Sequence, residues 1–142
     1  MSRSTVSLVV RSLSLGISLA ASVASADTSP STRGVLPLKH GVFVSKGQSC
    51  ADPANAGIKH YDGKGVHGSA THLCLATVIE HKGNHYTVDQ SCIDTPAGDG
   101  PRVTARENVT VHDARNFTWG TGDKAVRYRY CPESQLPDWL RK

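Results

Sequence analysis

The chain has no CxxC pair, no serine in a GxSxG context, no clustered run of Lys and Arg, and no internal repeat. Past residue 26 it also lacks any long stretch of apolar residues repeating every 3.6 positions. The first absence argues against a zinc knuckle or a dithiol redox centre, and the second against an α/β-hydrolase nucleophile. Without a basic cluster there is no footprint for nucleic acid. Without helical periodicity the chain is not a helix bundle. No apolar run reaches the ~20 residues that a membrane-spanning helix needs.

What is present reads as an exported β protein. Residues 1–26 have the three parts of an export signal in order. Arg3 and Arg11 supply charge, the run from Leu13 to Val23 is apolar apart from Ser and Gly, and Ala24-Ser25-Ala26 is a small-residue cleavage site. Cleavage there leaves a chain beginning at Asp27. Losing Arg3 and Arg11 from the sixteen basic residues leaves fourteen against twelve acidic ones, so the basic balance is slight. The four cysteines, Cys50, Cys74, Cys92 and Cys131, are an even number in an exported chain and are expected to form two disulfides. Residues 27–40 carry Ser, Thr, Pro and Gly with little apolar periodicity and read as a flexible leader. Residues 41–142 then form a single domain.

The centre of that domain is a hairpin. Residues 73–79 and 86–92 alternate β-branched or aromatic residues with polar ones and are joined across Lys82-Gly83-Asn84. Cys74, Ala76 and Val78 share one face of the first arm, and Tyr86, Val88 and Cys92 share one face of the second. If both faces are buried, odd-length turns around Gly83 allow two registers, one with Cys74 opposite Gln90 and one with Cys74 opposite Cys92. The second makes Cys74–Cys92 the preferred bond and leaves Cys50–Cys131 by exclusion.

Strand patterns flank this hairpin on both sides. Residues 41–44 form a short strand, and 58–61 with 66–68 form a second hairpin on the Asp62-Gly63 turn. Residues 103–112 alternate except at Glu107, which suggests a bulge or bend. Phe117 and Trp119 share a face, residues 126–130 alternate cleanly, and short helical turns after Pro132 are expected to pack Leu136, Trp139 or Leu140 over an end of the sheet. The fold class is therefore all-β: a small, disulfide-stabilised antiparallel barrel or sandwich, with consecutive hairpins favouring a meander.

Functional chemistry is sparse. His60, His67 and His72 could approach one another around the second hairpin, and imidazole binds zinc or copper, but their spacing fits no metal motif. The expectation is no metal, no cofactor and no catalytic residue. Asp62, Glu80, Asp94, Glu107 and Asp113 are carboxylates that no pattern pairs, and Asn108 and Asn116 lie in N-x-[ST] triplets. Arg127 and Arg129 alternate with Val126, Tyr128 and Tyr130 and should share the solvent face. They are the candidate contact for an acidic protein or an anionic envelope polymer, because guanidinium groups bind carboxylate and phosphate bidentately. The expected function is a periplasmic or secreted non-catalytic binding module, inhibitor-like or envelope-associated. The alternative is a metal-binding or hydrolytic protein using the three histidines.

Overall fold

A computed structural model describes residues 34–141. Residues 1–33, which hold the expected export signal and the first part of the expected leader, lie outside the described residues. Eight antiparallel strands follow one another around a nearly closed meander barrel: β1 (Gly41–Ser45), β2 (Ile58–Tyr61), β3 (Val66–His67), β4 (His72–Lys82), β5 (His85–Ile93), β6 (Arg102–Asp113), β7 (Asn116–Trp119) and β8 (Val126–Cys131). Apart from β3 and β4, each strand pairs with the next in sequence, and β8 returns to β1. Only the seam between β3 and β4 lacks a regular ladder.

Alternation along the strands decides the inner wall. Phe43 opposite Tyr130, Phe117 opposite Tyr128, Val111 opposite Phe117, and Val78 opposite Val88 all point inward. Phe117 stacks on Tyr128 with ring centroids 5.2 Å apart, and Phe43 meets Phe117 edge-on at 5.1 Å. Aromatic pairs in such geometries add to the stabilisation from area burial alone.

β1 is buried on both faces. Its outward Val42 and Val44 are covered by residues around Cys50 and by Leu136 and Leu140, and the Cys50–Cys131 disulfide pins this outer layer. The turns after Pro132 therefore pack along the barrel wall and leave Trp139 exposed; they do not cover an end of the sheet.

The central hairpin adopts the register in which Cys74 and Cys92 are bonded, with Cα atoms 4.2 Å apart. The turn differs from expectation. It is the two-residue Gly83-Asn84 loop between paired Lys82 and His85, with Gly83 at φ +62°. A two-residue turn with a positive-φ glycine in first place matches the twist of the flanking strands. The register parity is restored by an extra residue in β4, since Val78 opposes Val88 while Glu80 opposes Thr87, leaving Ile79 as a bulge. No bulge occurs at Glu107, which lies in an unbroken ladder with β5 and faces inward.

Residues 34–40 are not a flexible leader. Leu36 and Leu38 are buried in the main core. The Tyr61 hydroxyl donates to the Leu36 carbonyl and accepts from the Leu36 N–H, both at 2.8 Å. Val35 N–H bonds to Gly63 O, and Lys39 N–H to Ala114 O. This segment crosses one end of the barrel, hereafter the lower end, and closes it.

Candidate functional site

The seam is held by loops and one side chain. Ala76 N–H donates to Lys64 O at 2.7 Å, and the buried Gln90 reaches across to accept from Val66 N–H at 2.8 Å. A side chain at Gly65 would collide with the Cys74 carbonyl, so this approach requires glycine. The Asp62 carboxylate accepts from Lys64 and Gly65 N–H and contacts His67 Nε2 at 3.1 Å. Burial pushes the Asp62 carboxyl up, but these hydrogen bonds outweigh it and hold the pKa at about 2.

Above the core the inner wall changes character. β6 continues past its short partner β7, and its upper inward residues Val103 and Ala105 are exposed, as is Val126 on β8, whereas the neighbouring Gln90 and Cys92 of β5 and Cys74 of β4 stay buried. Two charged residues enter the same wall. Lys59 lies opposite Phe43 on β2, and Glu107 lies opposite Val88 on β5. The Lys59 ammonium stands 5.1 Å over the Trp119 ring. Burial lowers its pKa, and the Glu107 carboxylate pulls it part of the way back. Among the described residues neither Lys59 nor Glu107 has a side-chain hydrogen bond or ion-pair partner. The upper rim thus combines an aromatic ring, apolar wall and two opposite charges that attract each other without a hydrogen bond or ion pair. Such a setting can bind and orient a polar ligand.

The residues singled out from sequence are distributed differently. His60 and His67 are paired across β2 and β3 on the outer face, with ring centroids 5.8 Å apart. His72 lies beside Gly98 in the loop after β5. The three histidines are not brought together, and among the described residues no group of three His, Cys, Asp or Glu side chains is placed to hold a metal ion. His60 instead lines a small cavity of about 190 Å³ with His40, Tyr130, Glu133 and Leu136. Two imidazole–hydroxyl contacts, His85 with Thr110 and His112 with Thr118, lie on the exposed outer wall.

Arg127 and Arg129 share the outer face, as the alternation requires, but their surroundings differ. The Arg129 guanidinium donates to Gln48 O at 2.6 Å and to Cys50 Sγ at 3.1 Å, which ties the 48–50 loop to the wall. Arg127 is exposed and lines a shallow groove with Lys46 and Asn116.

Lys59 escaped the sequence reading, and Glu107 entered it only as a break in alternation and an unpaired carboxylate, although a signal existed for both. Each is a charge on an otherwise apolar alternating face: Lys59 beside Tyr61, and Glu107 among Val103, Ala105, Val109 and Val111. No helix among the described residues is long and apolar enough to cross a membrane. The two disulfides are consistent with an oxidising, exported compartment. Comparison with protein-family models, with curated proteins and with solved structures finds no match to this chain.

Proposed function

We propose that the protein is an exported, non-catalytic binding module that holds a ligand in the open upper end of its barrel. One contrast carries this reading. Val109 and Val103 lie six residues apart on the same inward face of β6, yet Val109 is 1% exposed and Val103 56%. The face of β6 that is core below is accessible surface above, and the mouths of β-barrels are preferred ligand positions. The disulfides and the export signal read in residues 1–26 support a periplasmic or secreted setting, where an inhibitor-like or envelope-associated module would act.

The test is a ligand-observed NMR screen of small molecules against the wild-type protein and an Ala105→Trp variant, whose indole fills the mouth. Ligands that bind the wild type and are lost on A105W are expected. Hits that bind both proteins equally, or a screen with no hits, would refute the proposal.

The Lys46–Arg127 groove favours a second reading, capture of an acidic protein or anionic envelope polymer on the outer wall. Arg127→Glu should then weaken retention of such a partner most at low salt, because exposed charge attraction is screened within about 8 Å at physiological ionic strength. Arg129→Glu is not the equivalent test, since it also releases the 48–50 loop.

A further inference from the structure

We propose that the mouth selects an amino-acid-like ligand, a small molecule whose carboxylate seats on Lys59 and whose hydrogen-bond donor seats on Glu107. This rests on the mouth being the binding site and adds the chemistry it recognises.

The Lys59 ammonium carries three donors, and no acceptor among the described residues takes one. It is half-buried, and partial loss of water makes an unfilled ammonium unfavourable unless an anion or dipole meets it. Gly68 borders the ammonium beside the Thr71 hydroxyl: a methyl group there would stand 3.7 Å from Nζ. Glu107 sits close enough to attract Lys59 electrostatically, yet the two do not form an ion pair. A bare anion would gain from Lys59 and be opposed by Glu107. A ligand bearing both a carboxylate and a donor satisfies both groups, and charge-assisted hydrogen bonds are the strong ones. Val103, Ala105 and Val126 then supply apolar wall for the rest of the ligand.

Three probes with one phenyl body separate the contributions: L-phenylalanine carries both groups, 3-phenylpropionate only the carboxylate, and 2-phenylethylamine only the amine. Each is titrated into the 15N-labelled, disulfide-bonded protein while the Trp119 indole N–H and the Gly68 amide are followed. L-Phenylalanine is expected to shift both signals saturably, with each single-group analogue weaker by about tenfold or more. Lys59→Met, which keeps the apolar stem, should reduce L-phenylalanine to the level of 2-phenylethylamine, and Glu107→Gln should reduce it towards 3-phenylpropionate. If K59M unfolds, E107Q together with Lys59→Arg, which retains the charge, decides the matter.

Equal binding of all three probes, or probe order unchanged in these variants, would overturn the ionic assignment while leaving the mouth as a binding site. If none of the three probes shifts Trp119 but other ligands are lost on A105W, this ligand class is refuted and the broader reading survives. Failure of both tests removes both.

Discussion

At the lower end of the barrel, Leu36 and Leu38 are driven into the core and Tyr61 fastens them there by two hydrogen bonds. At the upper end the same inward faces carry Val103, Ala105 and Val126 into the open, together with Lys59 and Glu107. Strand length produces the difference. β6 spans twelve residues while its partner β7 spans four, so the upper part of β6 outruns the wall on that side. Closure at one end supplies stability, and the uneven rim at the other leaves surface available for binding.

The largest break in this comparison is expected from the disulfides. Cys50–Cys131 spans 81 residues of sequence and Cys74–Cys92 only 18. In the loop-entropy account, removing the first by double alanine substitution costs about 4–5 kcal/mol and removing the second about 3 kcal/mol. Urea denaturation measures both. An equal loss would mean that the long loop is already restricted in the unfolded chain.

Next in size is the plug. Leu38→Ala should cost about 2–5 kcal/mol, as for other fully buried leucines, whereas Val103→Ala at the rim should change stability by less than about 0.5 kcal/mol. Similar losses at the two positions would abolish the distinction between the ends. Tyr61→Phe isolates the fastening from the packing. It leaves the Leu36 N–H and carbonyl without their partner, for an expected loss of about 1–3 kcal/mol in the same denaturation experiment.

Most of the strand layout was legible because alternation and turn residues agree. Val126 to Tyr130 and Cys74–Cys92 required no tertiary information beyond parity, and Cys50–Cys131 followed by exclusion. The second hairpin lies where its pattern places it, but its loop is the four residues 62–65 and not a two-residue Asp62-Gly63 turn. The reason is that Tyr61 pairs with Val66 and the Asp62 carboxylate caps Lys64 and Gly65 N–H. The plug was not legible, since Leu36-Pro37-Leu38 is too short to show a period and its burial depends on an end of the barrel formed by distant strands. The bulge at Ile79 was hidden for another reason: an extra residue in one arm and a two-residue turn reproduce the parity of an odd turn without a bulge. Lys59 and Glu107 were visible as exceptions to their faces, but their meeting depends on how β2 and β6 are placed around the ring, which pairwise patterns do not encode.

The smallest expected effect is on acid stability at the seam. The Asp62 pKa is about 2 when folded, below its ordinary value near 4, so its stabilising contribution is complete above about pH 4 and is lost as pH falls through about 2. Asp62→Asn removes this dependence. Denaturation midpoints should therefore fall less steeply from pH 4 to pH 2 in the variant than in the wild type. Parallel profiles would show that the Asp62 hydrogen bonds do not differ between the folded and unfolded chain.

The path of residues 34–40 also separates the two poles as reporters. Gly34 lies against Tyr61 and Gly63 at the closed end, away from the exposed rim of β6 and β8. A perturbation seen at the Leu36 amide therefore reports on the base, and one seen at the Val103 amide on the rim, so a single spectrum tells which pole of the molecule has been touched.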